Sequence, residues 1–232
     1  TKRASWSSFR NGNEQQGVAY SKLPLKLVKL WEAPAQDGVL GAPAIVGEHV
    51  FVGILGGELL CLDRETGDLI WSYKSVKKVP KNSFAPGFLA SPTVTDDSVY
   101  IGDEDGVFHA INRKTGKQRW VYQTFAEIIS SASIVGKTVI FGSYDSNLYC
   151  LNMDGTLNWK YETMDRVNGS PAVSNGFSFV TGCDEHLRVI NILTGKQEYE
   201  MNLRTYLIAS PAIKGDMLYV GTYASEVIAV DW

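Results

Sequence analysis

The sequence has few cysteines, no long apolar run and no strong excess of charge of either sign. Its three cysteines, Cys61, Cys150 and Cys183, lie too far apart for any pair to have the spacing of a metal-binding motif. No stretch approaches 18 consecutive apolar residues, which excludes a membrane-spanning helix. Lysine and arginine number 22 against 25 aspartates and glutamates, a net charge of −3. This balance gives no reason to expect a nucleic acid as partner.

The sequence does contain a repeat of about 40 residues. A run of β-branched and aromatic residues that ends in glycine occurs five times, with spacings of 49, 40, 40 and 39 residues between the glycines. These glycines are Gly53, Gly102, Gly142, Gly182 and Gly221. A segment of small residues precedes each glycine, and a third apolar run that closes on Asp or Asn follows it. Nearly the whole chain is therefore built from one unit.

Each unit is predicted to contain four short antiparallel strands. Its apolar runs are separated by turn residues, and none has the 3.6-residue period of a helix. In the third run, apolar residues alternate with a mixed set, as in Phe108-His109-Ala110. A four-stranded unit repeated radially is a blade of a β-propeller, so the predicted fold class is all-β, a β-propeller of four-stranded antiparallel blades.

The two ends of the sequence predict how the propeller closes. The fifth copy stops at Asp231-Trp232, where its fourth strand should begin, whereas Val28-Lys29-Leu30 leads into Trp31 as a fourth strand does. We therefore expect a closed ring of five blades in which the N-terminal strand completes the last blade and removes an exposed sheet edge. The alternative is part of a larger ring, of about seven or eight blades. The predicted organisation is a surface tail over residues 1–22 and one propeller domain over 23–232.

The turn after the third run resembles that of a known family. Leu62-Asp63-Arg64-Glu65-Thr66-Gly67, followed after three residues by Trp71, is similar to the repeat of PQQ-like (pyrroloquinoline-quinone-type) β-propellers. The starts of the first strands, such as Ser170-Pro171-Ala172-Val173, fit the same family. The resemblance implies that one aromatic side chain per repeat locks neighbouring blades together by burying its ring between them. These aromatics are Trp31, Trp71, Trp120, Trp159 and Tyr199.

The resemblance leaves enzymes and non-enzymatic scaffolds as alternatives, because both occur in the family. The quinone-dependent dehydrogenases resemble this chain only in the repeat, and they carry adjacent disulfide-bonded cysteines and a calcium site that have no counterpart here. We therefore predict a chain of the non-enzymatic branch with no catalytic, cofactor-binding or metal-binding residues and no cofactor. Asp103-Glu104-Asp105-Gly106 is weighed as a calcium loop and assigned to a turn. His49, His109 and His186 are expected to be surface or strand residues.

One insertion interrupts the regular spacing. The nine extra residues in the first interval follow Trp71 and fall in a segment rich in lysine and proline. Because loops tolerate insertions and often carry binding residues, this segment is either a solvated insertion or a candidate partner loop. The residues that would carry binding are Lys74, Lys77, Lys78, Lys81 and Phe84.

The function expected from the sequence is a non-catalytic scaffold that binds a protein partner in an extracytoplasmic setting. The repeat resembles that of a propeller lipoprotein of the bacterial outer-membrane assembly machinery, and the leader around Trp6 is similar to a segment in exported bacterial propellers. No signal segment is present in this chain, and neither nucleic acid nor a transmembrane segment is expected. The alternative is a small-ligand-binding or sensory module that uses an axial pocket. The oligomeric state is left open.

Overall fold

The computed structural model describes residues 5–19, 25–79 and 81–232. In these residues all regular secondary structure is β, and the strands form five antiparallel sheets in chain order, which confirms the predicted β-propeller. The first sheet comprises β1 (Ala44–Val46), β2 (His49–Gly53), β3 (Glu58–Asp63) and β4 (Leu69–Lys74). The second comprises β5 (Thr93–Val94), β6 (Ser98–Gly102), β7 (Val107–Asn112) and β8 (Gln118–Gln123). The third comprises β9 (Ser133–Val135), β10 (Thr138–Gly142), β11 (Asn147–Asn152) and β12 (Leu157–Glu162). The fourth sheet comprises β13 (Ala172–Ser174), β14 (Phe177–Thr181), β15 (His186–Asn191) and β16 (Gln197–Asn202). The fifth comprises β17 (Ala212–Lys214), β18 (Met217–Gly221) and β19 (Val227–Asp231).

The turn between the third and fourth strands follows from its residue types. In the first sheet the Asp63 carboxylate accepts the backbone N–H groups of Glu65 and Thr66 at 2.8 and 2.9 Å. Gly67 then takes the left-handed conformation, with φ at +79°, that favours glycine. Each complete sheet also has a register shift at the same point, where the third strand faces the aromatic of the fourth, as between Cys61 and Leu62.

The core lies between successive sheets rather than within any one of them. Each of its four clusters joins side chains of two neighbouring sheets. Phe108 of the second sheet and Phe141 of the third stack with their ring centroids 3.9 Å apart, and both are fully buried. The first strands of neighbouring sheets contact one another, as β13 contacts β17, so these strands meet at the centre and the fourth strands lie outside.

Residues 5–19, here called the strap, lie across the first strands of the sheets. Trp6 forms a β-bridge with Ile45 of β1. Further along, strap carbonyl groups accept backbone N–H groups from the second, fourth and fifth sheets. These bonds are Val94 N to Ser7 O (2.8 Å), Val173 N to Asn13 O (2.7 Å) and Ile213 N to Glu14 O (2.9 Å). The strap therefore supplies partners to the innermost sheet edges, whose backbone groups need them when water is excluded. The predicted boundary between residues 22 and 23 lies outside the described residues and stays a prediction.

The fifth sheet differs from the expectation. It contains three strands, and residues 25–31 form no strand beside β19, so the predicted N-terminal fourth strand is not in place. Leu25 and Leu27 of that segment are exposed. The segment is held at the first sheet instead, because the indole of Trp31 covers Gly67 and donates to Arg64 O at 3.0 Å.

No helix among the described residues is long and apolar enough to cross a membrane.

Candidate protein-docking site

Four tryptophans on the outer side of the molecule bind the next sheet. Each indole N–H donates to a backbone carbonyl just beyond the third strand of the neighbouring sheet. The bonds are Trp31 to Arg64 O (3.0 Å), Trp71 to Arg113 O (3.1 Å), Trp120 to Met153 O (2.8 Å) and Trp159 to Ile192 O (2.8 Å). Each ring also covers the turn glycine of that sheet, where a Cβ would come within 2.6 to 2.7 Å of it. These contacts are of the kind that the sequence resemblance implies.

Tyr199 departs from this arrangement. Its side chain is 73% exposed, so the role proposed for it between blades is not seen in the structure. Trp159, the corresponding aromatic of the third sheet, packs on Gly195 of the fourth sheet. Among the described residues, no turn glycine follows the third strand of the fifth sheet, so Tyr199 makes no contact of the tryptophan kind there.

A chain of serine hydroxyl groups links the sheets near the centre. Each hydroxyl accepts a backbone N–H from the sheet before it. The bonds run from Ala42 N to Ser91 Oγ, Ser91 N to Ser131 Oγ, Ser131 N to Ser170 Oγ and Ser170 N to Ser210 Oγ, all at 2.8 or 2.9 Å. The first sheet has Ala42 at this position and has no hydroxyl to offer a preceding sheet. The small residues at these positions are visible in the sequence, but the hydrogen bonds that their hydroxyl groups form between sheets are not.

A third contact between sheets was missed by the sequence analysis. Two residues beyond the tryptophan, the fourth strand carries a tyrosine that meets a polar side chain on the third strand of the next sheet. The pairs are Tyr73 with His109, Tyr122 with Tyr149, and Tyr161 with Arg188. A turn aspartate holds each of the three partners. The signal in the sequence is the recurring Trp-x-Tyr, as in Trp71-Ser72-Tyr73.

The first of these contacts is a buried chain of polar groups. His109 and Asp103 are each 1% exposed. The Nε2–H group of His109 donates to Asp103 Oδ2 at 2.8 Å, and Nδ1 lies 2.9 Å from the Tyr73 hydroxyl. The same hydroxyl lies 3.1 Å from Gln118 Oε1, so its single proton has two neighbouring acceptors, Nδ1 and this amide oxygen. Burial, followed by the nearby Asp103 charge, raises the pKa of Tyr73 to about 12, so the hydroxyl stays protonated at neutral pH.

A surface cleft opens directly over this chain. It has a volume of about 590 Å³ and lies where the outer strand of the first sheet faces the turn after β7 in the second. Its lining residues are Ser72, Tyr73, Lys74, Ser75, Lys77, Lys117 and Gln118. Lys74 pairs with Glu58 at 3.2 Å, whereas Lys77 and Lys117 form no ion pair with any residue that the structure describes. The cleft is therefore a positively charged recess on a chain of net charge −3.

The predicted partner loop borders this cleft. Lys74 and Lys77 line it, and Lys78 and Lys81 are exposed on the same segment. The side chain of Phe84 is 96% exposed. The segment returns to the core through Gly87, whose N–H donates to Glu104 Oε2 at 2.9 Å. Of the candidate residues, Lys74 and Lys77 line the recess, whereas Lys78, Lys81 and Phe84 are exposed elsewhere on the segment.

The other residues weighed from the sequence are used by the fold. The Asp103 carboxylate also accepts the N–H groups of Asp105 and Val107, as an aspartate in a tight turn does. Burial raises the pKa of the Cys61 thiol to about 12, which leaves it unreactive at neutral pH. No group of three or more histidine, cysteine or acidic side chains in the described residues could hold a metal ion.

The architecture and the repeated tryptophan contacts define the class of protein, a β-propeller of PQQ-like repeats. The family model described as "Outer membrane protein assembly factor BamB" matches residues 28–146 and 125–232. This chain belongs to that family, which confirms the predicted PQQ-like repeat.

Curated relatives match only part of the chain. The human beta-alanine-activating enzyme is 26% identical over 102 residues, which is 41% of this chain and 9% of that protein. The mouse beta-alanine-activating enzyme is 28% identical over 106 residues, or 43% of this chain and 10% of that protein. The matched region is therefore about a tenth of each of these proteins.

Solved structures share the fold over nearly the whole chain. BamB from Moraxella catarrhalis superposes with a TM-score of 0.74 at 20% identity, covering 87% of this chain and 61% of that one. Quinohemoprotein alcohol dehydrogenase ADHIIG from Pseudomonas putida HK5 superposes with a TM-score of 0.73 at 16% identity, covering 98% of this chain and 46% of that one. The five sheets are therefore arranged like part of a larger propeller.

Proposed function

We propose that this chain is a non-catalytic protein-interaction propeller that binds an acidic, extended segment of a partner protein in the cleft between its first two sheets. The observation that carries the proposal is the cleft itself, which is lined by Lys77 and Lys117, two lysines that pair with no acidic group among the described residues. The match to a family described as an assembly factor supports a role in binding proteins.

The chemistry of the cleft favours carboxylate groups flanked by apolar side chains. Lys77 and Lys117 approach the recess from neighbouring sheets, so an acidic segment lying between them would meet positive charge on both sides. Complementary charge of this kind raises association rates and selects among partners. Phe84, exposed on the loop that also carries Lys77, offers an aromatic surface to a partner, as aromatic anchors do in interfaces.

Binding of a designed peptide tests the proposal. The probe is a fluorescein-labelled octapeptide of six glutamates around two phenylalanines, followed by fluorescence anisotropy at low salt. Replacing both cleft lysines, Lys77→Glu and Lys117→Glu, is expected to weaken binding by about tenfold or more, because attraction becomes repulsion. Added salt should weaken binding to the unmodified chain, because exposed charges are screened.

A matched pair of substitutions controls for net charge. Lys137→Glu and Lys160→Glu change the total charge equally at exposed positions outside the cleft and should leave the affinity within about twofold of the original. The proposal is wrong if this control weakens binding as much as the cleft variant, or if a peptide with lysine in place of glutamate binds equally well.

We further propose that the chain works outside the cytoplasm, which the family's description as an outer-membrane assembly factor supports. In source cells with a permeabilised outer membrane, added protease should then degrade the chain while a cytoplasmic marker survives. Protection of the chain together with the marker would contradict this location.

The alternative of an axial small-ligand site is less favoured because the strap occupies the centre. Gln15 of the strap is 3% exposed, and its amide donates to Ser170 O at 3.0 Å. Arg10 donates to Ser210 O, also at 3.0 Å. A ligand at the inner strands would have to displace these groups.

A further inference from the structure

The outer strand of the first sheet forms one wall of the docking cleft. Four consecutive residues at the end of β4 and directly after it, Ser72 to Ser75, line the recess. Among the described residues β4 pairs with β3 alone, so its other side is an open sheet edge. Such an edge presents backbone N–H and C=O groups to which another strand can bond. The cleft therefore offers a ligand backbone groups as well as lysine side chains.

The hydrogen-bond pattern shows which backbone groups face the cleft. Ser75 N donates to Gly57 O, directly before β3, at 2.9 Å. Inward-bonded and outward-facing residues alternate along an antiparallel strand. Tyr73 therefore bonds to β3 as well, whereas the N–H and C=O groups of Ser72 and Lys74 point away from it. Two residues of the cleft wall thus have backbone groups without a neighbouring strand.

The charges around this edge select the kind of strand that can bind there. Lys77 follows the edge along the chain, and Lys117 approaches from the second sheet. An added strand would place its side chains alternately on the two faces of the sheet, and one of these faces is turned toward the second sheet. A segment with carboxylate groups at alternate positions would therefore satisfy the outward backbone groups and meet the lysines at the same time.

The charges also distinguish β4 from other outer edges. Two β4 edges paired with each other would bring the lysines of both chains together, and lysine on an edge strand opposes pairing of this kind. In the fourth sheet Leu203 N donates to Glu185 O, so by the same alternation Glu198 and Glu200 occupy outward-facing positions of β16. An acidic segment would be repelled there, whereas it is attracted at β4.

We propose that the acidic segment of the partner binds as an added β-strand on the outer edge of β4, with its backbone bonded to Ser72 and Lys74. This inference rests on the proposed function, because it states how the same cleft holds the same kind of partner. In this mode of recognition the backbone hydrogen bonds supply affinity and the side-chain contacts supply specificity. The partner segment must then be extended as well as acidic.

Amide hydrogen exchange, measured by NMR on the full 232-residue chain, tests the added strand. The outward amides of Ser72 and Lys74 should exchange at least about tenfold more slowly when the acidic octapeptide is bound at saturation, because they become donors in a new ladder. The amide of Val121 serves as the internal control. It occupies the matching outward position on β8, and Val121 is not part of the cleft lining.

The outcomes separate this inference from the proposed function. Binding of the octapeptide with no added protection of Ser72 and Lys74 would overturn the added strand and leave the proposed function intact. Absence of binding would contradict the proposed function itself, and the added strand with it.

A proline substitution in the edge gives a second test. Ser72→Pro removes an outward N–H without breaking a bond to β3, and it leaves the net charge unchanged. It is expected to weaken binding of the octapeptide by about tenfold. Val121→Pro makes the same change at the matching position of β8 and should leave the affinity within about twofold of the original.

Circular dichroism checks that both proline variants are folded. Equal affinities of a folded Ser72→Pro variant and the unmodified chain would overturn the proposal. If the variant does not fold, the exchange rates of Ser72 and Lys74 in the unmodified chain still decide.

Discussion

At the level of single residues, three side-chain contacts join one sheet to the next at each of the first three junctions. A tryptophan covers a glycine on the outside, a serine hydroxyl accepts a backbone N–H near the centre, and a tyrosine meets a polar partner between them. The tryptophan and the tyrosine contact the following sheet and the serine contacts the preceding one, so each of these junctions is set by two consecutive repeats. Substitutions at these positions should therefore affect stability more than their modest number of hydrogen bonds implies.

The close approach of Trp71 to Gly116 is tested by two glycine substitutions. Gly116 and Gly136 have similar positive φ values, +67° and +57°, so alanine at either position meets the same backbone strain. At Gly116 a Cβ would also lie 2.7 Å from Trp71, whereas at Gly136 it would meet nothing within 4 Å. Urea unfolding should show Gly116→Ala to be less stable than Gly136→Ala by about 1–3 kcal/mol. Equal losses would contradict the role of the tryptophan.

The buried tyrosine predicts a loss of stability at high pH. The pKa of Tyr73 is about 12 in the folded chain, against about 10 for a tyrosine in an unfolded one. Between these values only the unfolded state releases the proton, so stability is complete below pH 10 and falls as pH rises toward 12.

Tyr73→Phe removes this titration and also the hydrogen bond to His109. The variant is therefore expected to be less stable than the original at pH 8, and to lose less stability between pH 8 and pH 11. Urea unfolding at the two pH values measures both effects. An identical loss in the two proteins would contradict the assignment.

At the level of elements, the sheets differ in what covers their edges. The strap covers inner edges in several sheets, and the fourth strands close the outer side of four, whereas β19 pairs only with β18 among the described residues. Sequence spacing predicted the four strands of each repeat because turn residues and alternating apolar residues are local signals. The Trp-x-Tyr recurrence was visible too, but its meaning depended on partners as different as His109, Tyr149 and Arg188 in the next repeat.

Hydrogen exchange tests the role of the strap. The amides of Val94, Val173 and Ile213 donate to strap carbonyl groups, so they should exchange slowly in the full chain. In a variant that lacks residues 1–19 they should exchange much faster, while the amide of Ile140 in the middle of the third sheet serves as the internal control. Unchanged rates at all three amides would show that the strap does not protect the inner edges.

At the level of the whole molecule, strand counting predicted the number of sheets correctly. The predicted closure, in which an N-terminal strand completes the fifth sheet, is not present in the structure. The sequence balances five third strands with five fourth strands, but Trp31 packs on Gly67 of the first sheet and residues 25–31 form no strand beside β19. The position of such a segment depends on contacts between distant repeats, and no local pattern in the sequence reports those contacts.

The docking cleft is also a feature of the whole molecule, because it forms between two neighbouring sheets. Lys77 comes from the insertion after the first sheet and Lys117 from a turn in the second, 40 positions apart in the sequence. The insertion could be recognised from its length and composition. The recess could not, because it exists only where two neighbouring sheets and their loops meet.

Native mass spectrometry of the chain with the acidic octapeptide, pyrroloquinoline quinone and calcium all present would test the central claim most directly. A protein-interaction propeller should carry one peptide for each copy of the chain, lose it when Lys77 and Lys117 are reversed in charge, and retain no quinone. A chain that retains the quinone with calcium and does not hold the peptide would contradict the account and indicate a quinone-dependent enzyme.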